Sequence, residues 1–190
     1  MRLDSPTRLG PNTLALHWIV AVMMIALLAT GLYMAQTSTY GLYPWHKSFG
    51  VLIALFVVLR VAWRIRNGWL KPVGDYTSVE KWLSKLVHWL LIIGTVLMPV
   101  SGFMMSAMGG HGVSVFGVEL IAHNPDPTDP QEVVALNATL ARVGHLLHEW
   151  GGYLLIGAVL LHVVGALKHH LIDRDGTLRR MLGAEVRVAP

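Results

Sequence analysis

Cysteine is absent from this chain of 190 residues, and charged residues are scarce. Without cysteine the chain forms no disulfide, ligates no iron–sulfur cluster through thiolates and has no C-x-x-C-H attachment motif. Any bound metal must therefore be held by nitrogen or oxygen ligands. Charged residues make up 14% of the chain, whereas they make up about 25% of an average soluble domain.

The low charge and high apolar content exclude two further classes of protein. Hydrophobic residues make up 54% of the chain and its net charge is only +4, a combination that excludes intrinsic disorder. The isoelectric point is about 9.6, but the basic residues flank apolar segments and form no dense run, so nucleic-acid binding is not expected. A small integral membrane protein is the class that remains, and its length suits one domain.

Four apolar stretches are each long enough to cross a bilayer, which takes about 20 residues of helix. They lie at residues 14–34, 45–65, 86–107 and 146–167, and Pro99 lies inside the third. The first stretch is too long for the apolar region of a signal peptide, which predicts a retained span. The sequence therefore predicts an all-α protein, a four-helix bundle embedded in the membrane, with residues 1–190 forming a single transmembrane domain.

The basic residues are distributed unevenly between the two ends of these spans. If the N-terminus is inside, 13 of the 15 basic residues fall on inner segments, and only Lys47 and Arg142 lie outside. The inner set is Arg2, Arg8, Arg60, Arg64, Arg66, Lys71, Lys81, Lys85, Lys168, Arg174, Arg179, Arg180 and Arg187. Because basic residues are retained on the cytoplasmic side, both termini are predicted to be cytoplasmic.

Two connecting segments carry predicted structure of their own. The long outer segment, residues 108–145, contains the helix-breaking cluster 123-HNPDPTDP-130 and then a stretch, 131–145, that is predicted to be helical and to continue into the fourth span. At the inner side, residues 175–183 are predicted to form a short amphipathic helix at the membrane surface.

Histidine is frequent for so apolar a chain, at 10 residues, and four histidines stand out by depth. His148 and His162 are 14 residues apart, close to four helical turns, so they project from nearly the same face about 21 Å apart along the axis. Each can serve one of two sites stacked across the membrane. By depth, His46 is the outer partner for His148 and His17 is the inner partner for His162.

Two imidazoles from opposite helices suit a flat cofactor between them. Zinc usually takes three or four close ligands, whereas haem iron is held axially by histidine. A haem here would be of the non-covalent b type, because the chain lacks cysteine. Two axial histidines fill both axial positions of the iron and so favour electron transfer over oxygen binding.

The remaining outer histidines and several glycines leave alternatives open. His145 shares a helix face with His148 and is a rival outer ligand, while His111 and His123 are expected to be interfacial, and the roles of all three stay open. Glycines near the histidines either allow a large planar group to approach the backbone or mark ordinary helix contacts. They are Gly50, Gly144, Gly152 and Gly165.

The chain resembles the bacterial cytochrome b561 family over nearly its whole length. The resemblance is carried by 16-LHWIV-20, 45-WHKSFG-50, 59-LRVAWR-64, 88-HWLL-91 and 148-HEWGGYLLIGAVLLHVVGALKHHLIDRDGTLRRML-182. It implies a bacterial inner-membrane protein with several spans that carries two haems b. The axial ligands it implies are His17 and His162 for the inner haem, and His46 and His148 for the outer haem.

The resemblance also implies a substrate at each side of the membrane. On the inner side it implies a quinone pocket, for which His88, His169 and Arg64 are candidates, as contacts either to the quinone or to the haem propionates. A characterised activity of the family is oxidation of superoxide at the outer side, with electrons passed to ubiquinone. Lys47 directly follows His46 and is placed to attract an anion, yet the outer segments carry a net charge of −3, two basic against five acidic residues.

Three alternative functions remain open from the sequence. The chain is expected to be either an oxidoreductase of the superoxide:quinone type or a haem b subunit that passes electrons between a partner dehydrogenase or hydrogenase and the quinone pool. A haem-free membrane anchor is a further alternative. A non-haem metal enzyme or metal transporter is disfavoured, because acidic residues are missing from the spans.

Overall fold

The computed structural model describes residues 3–70 and 72–187, so Arg2 and Lys71, which were counted among the inner basic residues, lie outside the described residues. Four long helices dominate the described chain. They are α1 (Pro11–Thr37), α2 (Tyr43–Asn67), α3 (Ser78–Met108) and α4 (Ala138–Leu171), and a short helix α5 (Thr177–Met181) follows them. A single 3-10 turn, Tyr40–Leu42, precedes α2.

The four long helices are apolar on nearly all sides. Their most apolar windows have a mean hydropathy of 1.8–2.1, and only 11–22% of the residues in those windows are buried inside the protein. Apolar side chains that face outward need lipid around them, and a helix satisfies its own backbone hydrogen bonds there. The fold is therefore the predicted all-α transmembrane four-helix bundle, and each of the four predicted spans lies within one of these helices.

The starts of α1 and α3 are fixed by side-chain hydrogen bonds. Before α1, the Asp4 carboxylate accepts hydrogen bonds from the Gly10 amide at 2.7 Å and the Thr13 hydroxyl at 3.0 Å. Before α3, Thr77 and Glu80 form a capping box. The Glu80 carboxylate accepts from the Thr77 amide at 2.9 Å, and the Thr77 hydroxyl accepts from the Glu80 amide at 3.3 Å.

The prediction of a helix from residue 131 is wrong at its beginning. Helix α4 begins at Ala138, because the Asn137 side-chain oxygen accepts the Leu140 amide at 3.0 Å and caps the first turn. The preceding residues form turns and bends instead, and Val133 pairs with Pro125 in an isolated antiparallel bridge.

A small antiparallel hairpin forms within the predicted outer segment. Its strands are β1 (Val113–Val115) and β2 (Val118–Ile121). The two residues between the strands, Phe116 and Gly117, have φ of +49° and +86°. This conformation is the two-residue turn whose twist matches the strands it joins. The glycine accepts it at no steric cost.

The contacts divide the chain into two compact units. Unit 1 comprises the described parts of Met1–Ala21, Phe56–Ile93 and Leu155–Pro190, and unit 2 comprises Val22–Leu55 and Gly94–Leu154. Val20 and Trp63 are among the buried residues of unit 1, and Ile53 and Ser101 are among those of unit 2. That residues 1–190 make one functional domain stays a prediction.

The two terminal segments are joined in unit 1. The Val186 amide donates to the Thr7 carbonyl at 2.9 Å, and the buried Arg180 guanidinium donates to the Pro6 carbonyl at 2.8 Å. Helix α5, which carries Arg180, lies within the segment predicted to form a short amphipathic helix. These bonds close the C-terminal segment onto the residues that lead into α1.

Candidate functional site

Unit 2 brings together two of the four singled-out histidines. The ring centroids of His46 and His148 are 6.2 Å apart and the ring planes lie at 84°. His46 comes from the first turn of α2 and His148 from α4. Both side chains are half-buried.

Each of these rings is oriented through its Nδ1 atom. His46 Nδ1 lies 3.2 Å from the Thr30 hydroxyl, and His148 Nδ1 lies 3.0 Å from the Met98 carbonyl and 3.2 Å from the Ser101 hydroxyl. The two hydroxyls donate their own hydrogens to helix carbonyls, of Ala26 and Leu97 respectively. Their oxygens therefore accept from Nδ1–H, and this tautomer leaves the Nε2 lone pair of both rings for a metal.

Glycines allow two helix backbones to approach these rings closely. A Cβ atom on Gly31 would lie 3.3 Å from His46 Cε1, and one on Gly102 would lie 2.9 Å from His148 Cε1. The first contact is tight and the second forces a shift of the ring. Because glycine has no side chain, Gly31 and Gly102 leave the space that the imidazoles of His46 and His148 occupy.

Unit 1 holds the second histidine pair. The ring centroids of His17 and His162 are 6.4 Å apart, with the planes at 55°. His17 lies in the second turn of α1, and His162 lies on α4, the same helix as His148. The ring contacts thus bring together His46 with His148 and His17 with His162, the partners that depth along the chain suggested.

A guanidinium lies beside His17. Arg60 Nη2 is 3.2 Å from His17 Nδ1. Because arginine only donates, Nδ1 accepts in this contact and the ring proton lies on Nε2. Ligation of a metal through Nε2 would require the other tautomer, in which case Arg60 would no longer donate to His17 Nδ1.

A third histidine lies in contact with this pair. His88 on α3 packs edge-to-face against His162, with centroids 5.2 Å apart. Its Nδ1 is 2.6 Å from the Ser84 carbonyl, which makes Nδ1 the protonated nitrogen. Its Nε2 atom therefore carries a free lone pair for accepting a hydrogen bond.

The separation within each pair fits axial ligation of one iron atom by two histidines. Two metal–imidazole bonds of about 2 Å, with about 1 Å from each nitrogen to its ring centre, put the centroids about 6 Å apart. The pairs measure 6.2 and 6.4 Å. The donor set and its spacing thus fit a haem held between two imidazoles in each unit.

The other candidate residues are placed as follows. Arg64 donates to the Gly68 carbonyl at 2.8 Å and pairs with Asp4 at 3.5 Å. His169 lies against Asp173 and Asp175 in unit 1. Lys47 in unit 2 points its ammonium at the carbonyls of His111 and Gly112, at 3.5 and 3.4 Å.

Two of the three histidines of open role, His145 and His123, have side-chain partners at the surface of unit 2. His145 Nδ1 lies 3.3 Å from the Met105 sulfur and its Nε2 lies 3.7 Å from Glu149. His123 lies 3.7 Å from Glu119. All three imidazole residues are exposed, whereas His148 is half-buried.

Several residues that position the pairs were not anticipated from the sequence. Thr30, Ser101 and Arg60 lie within apolar spans, and a polar residue in an apolar run was the signal that could have marked them. The glycines expected to flank the site behave differently: Gly50 and Gly165 have open space at the Cβ position, while Gly144 packs on the Met105 backbone. The close approaches to the rings are made by Gly31 and Gly102.

Known proteins resemble this chain over almost its full length. A family model described as prokaryotic cytochrome b561 matches residues 3–184. The chain is 31% identical to "Cytochrome b561 homolog 2" of Escherichia coli (strain K12), covering 95% of this chain and 94% of that protein. It is 28% identical to "Cytochrome b561 homolog 1" of the same organism, covering 92% and 97%. It is 25% identical to "Probable superoxide oxidase CybB" of Yersinia pestis, covering 89% and 92%.

Proposed function

Because the chain belongs to the prokaryotic cytochrome b561 family, which transfers electrons across bacterial membranes with haem b, we propose that it holds two haems b, one in each histidine pair. His46 and His148 would ligate the haem of unit 2, and His17 and His162 would ligate the haem of unit 1. The observation that carries this proposal is the 6.2 and 6.4 Å separation of the paired rings. Haem iron, when bound, takes up and releases one electron at a time.

The proposed reaction is oxidation of superoxide at the periplasmic side and reduction of ubiquinone at the cytoplasmic side of the inner membrane. The similarity to the probable superoxide oxidase of Yersinia pestis supports it, since that similarity covers 92% of the relative. The uneven distribution of basic residues supports the orientation, with both termini on the cytoplasmic side. This makes the protein an oxidoreductase.

Arg60 and Arg64 are the cations that unit 1 offers to the haem propionates. Arg60 can no longer donate a hydrogen bond to His17 once Nδ1 of His17 carries the ring proton. Its guanidinium would then be available to bind a propionate carboxylate. Arg64 already pairs with Asp4 and is less free to move. His88 and His169 are the proposed contacts to the quinone, because neutral imidazoles both accept and donate hydrogen bonds.

Lys47 is the proposed attraction point for superoxide in unit 2. Lys47 directly follows the proposed ligand His46 on α2. Its ammonium lies near two backbone carbonyls, those of His111 and Gly112. A positive charge near the entry site raises the encounter rate of an anion, and salt weakens that effect.

A partner protein is the second candidate for the electron donor. The hairpin and the loop after it carry four acidic residues, three of them exposed, and this surface disfavours an anionic substrate. This acidic surface suits a cationic partner protein instead. In a complex with such a partner, the chain would serve as the haem b subunit. The acidic residues are Glu119, Asp126, Asp129 and Glu132.

Visible spectroscopy and rapid mixing test these proposals. The purified protein is expected to contain two haems per chain and to show b-type bands in a reduced-minus-oxidised spectrum. Absence of these bands would favour the alternative function, a haem-free membrane anchor. Stopped-flow mixing of the oxidised protein with superoxide is expected to reduce the haems faster than a haem-binding control protein is reduced. Lys47→Gln should slow this step, whereas the matched variant Arg142→Gln should not. Reduction no faster than in the control protein would favour the partner protein as donor.

A further inference from the structure

His169 is held in unit 1 by two carboxylates. Its Nδ1 atom lies 2.7 Å from Asp173 Oδ2 and 3.5 Å from Asp175 Oδ2, and its side chain is 18% exposed. The ring of Tyr76 packs against the imidazole with centroids 4.5 Å apart. Two segments of the chain, one after α4 and one before α3, thus fix one imidazole.

A second layer of groups holds the two carboxylates. Lys168 donates to Asp173 at 2.8 Å and also pairs with Glu80. The Tyr76 hydroxyl donates to Asp175 at 2.5 Å and lies 3.0 Å from the Thr177 hydroxyl. The result is a network of hydrogen bonds and ion-pair contacts that runs from α3 to the residues after α4, with the imidazole in its middle.

The charged and titratable groups around the imidazole come from every element that packs there. They are Asp75 and Tyr76 from the segment before α3, Glu80 from α3, Lys168 from α4, Asp173 and Asp175 from the segment after it, and Arg180 from α5. The hydrogen bond from Lys168 lowers the pKa of Asp173, so this carboxylate stays anionic. Burial and the bond to Asp175 raise the pKa of Tyr76, so the phenol keeps its proton.

Histidine is therefore the member of this network suited to exchange protons near neutral pH. The anionic oxygens at Nδ1 keep a proton on that nitrogen. Nε2 is then the atom that takes up and releases a proton, as in any imidazole fixed by a carboxylate.

The network lines an open pocket close to the proposed haem site of unit 1. The pocket has a volume of about 350 Å³ and is lined by Gly74, Asp75, Tyr76, Glu80, Lys168, Asp173 and Asp175. His169 follows His162 by seven residues on α4, so it projects from nearly the same face about 10 Å further along the axis. Water in the pocket thus reaches groups that lie two helical turns from a proposed ligand.

We propose that His169, held at Nδ1 by Asp173 and Asp175, delivers the protons that ubiquinone consumes at this side of the membrane. This inference rests on the quinone reduction proposed above. Asp173, Asp175 and Tyr76 are positioning residues, since they act through the imidazole.

The proton balance defines the role of the imidazole. Two superoxide anions, one quinone and two protons give two dioxygen molecules and one quinol, so superoxide is oxidised and the quinone is reduced. For each proton, the Nε2–H bond of His169 breaks and an O–H bond forms at a quinone oxygen. Water in the pocket then returns a proton to Nε2, while Asp173 and Asp175 stabilise the positive charge that the ring carries between transfers.

A bound metal is the rival use of the same groups. Ligand atoms of His169, Asp173 and Asp175 lie within 4.8 Å of one another. However, the Lys168 ammonium already lies on Asp173, and a second cation there would be repelled. The geometry favours proton exchange over metal binding.

The test uses the haem-loaded protein, reduced beforehand and mixed with a short-chain ubiquinone. The rate at which the haems are reoxidised is followed in H₂O and D₂O, from about pH 6 to about pH 9. His169→Gln is expected to slow reoxidation about tenfold or more, the low end of what positioned acid–base groups contribute. In His169→Gly, added imidazole should restore the rate. In Asp173→Asn, reoxidation should also slow, because the imidazole loses the carboxylate that holds it at Nδ1.

Asp75→Asn is the matched control. Its carboxylate lines the same pocket but is 92% exposed and pairs with Lys81, so reoxidation should stay at the wild-type rate. Nitrogen-15 NMR of the oxidised protein gives a readout independent of turnover. His169 should carry its proton at Nδ1, and this preference should weaken in Asp173→Asn.

Three results would overturn the proposal. The first is reoxidation in His169→Gln within twofold of wild type. The second is the absence of imidazole rescue, and the third is a loss of wild-type activity on chelation, which would make the cluster a metal site. Wild-type haems that ubiquinone does not reoxidise would overturn the proposed quinone reduction itself, and this inference with it.

Discussion

The environment of His148 shows how single residues make an imidazole ready to ligate. The Met98 carbonyl and the Ser101 hydroxyl both accept from Nδ1, and Gly102 leaves no side chain against the ring. His145, one turn away on the same helix, is exposed and lies near Glu149 instead. The proposed ligand therefore differs from its rival in burial and in its Nδ1 partners.

His148→Ala is expected to remove the proposed haem of unit 2 and to leave the proposed haem of unit 1 largely in place, because each would have its own pair of ligands. The haem-to-protein ratio and the reduced-minus-oxidised spectrum of the purified variant measure this. His145→Ala is the matched control and should retain both haems. Loss of a haem in His145→Ala with retention in His148→Ala would assign ligation to His145.

At the scale of helices, Gly144 sets how closely α4 approaches α3 within unit 2. A Cβ atom at this position would lie 2.7 Å from the Met105 amide nitrogen and 3.1 Å from the Ser101 carbonyl oxygen. Both neighbours are backbone atoms, which cannot move aside without moving the helix. Gly144 therefore acts as a helix contact, one of the two interpretations open from the sequence, and it lies one turn before His148.

Gly144→Ala is expected to lower the midpoint of thermal unfolding by about 2–12 °C. Overpacking costs about 1–3 kcal/mol, and each kcal/mol corresponds to about 2–4 °C for a chain of this size. Thermal unfolding in detergent, followed through the haem bands, measures the change. Gly157→Ala on the same helix is the control, since its Cβ position is open, and an equal drop in both variants would rule out the packing explanation.

The elements also show where sequence patterns mislead. The stretch 131–145 is apolar enough to predict one helix, yet its first residues pair with the strand-like segment at Pro125. Pairing with the preceding part of the same loop overrides local helix propensity there. The helix begins only where Asn137 caps it.

At the scale of the whole molecule, the distribution of charge predicts the orientation in the membrane. Thirteen of the 15 basic residues belong to the segments assigned to the cytoplasm, and the remaining segments carry a net charge of −3. Basic residues resist transfer across the inner membrane. The same distribution gives the outer surface the negative charge that weighs against an anionic donor.

Single engineered cysteines test this orientation without background, because the natural chain has none. Gln131→Cys, in the predicted outer segment, should react with a membrane-impermeant maleimide in intact cells. Glu185→Cys, near the C-terminus, should react only after permeabilisation. Both positions are exposed, so the reverse pattern of labelling would mean that the termini are periplasmic.

The number of spans, their approximate positions and the depth of each histidine were determined by the sequence alone, because hydropathy and the 1.5 Å rise per residue act along the chain. The groups around each imidazole were decided only by the tertiary structure. Arg60 lies 43 residues from His17 and Ser101 lies 47 residues from His148. Helices that are apolar on nearly all sides carry little signal for which face turns inward. Only packing sets their rotation, and with it the partners of Nδ1 and the ring separations that fit haem.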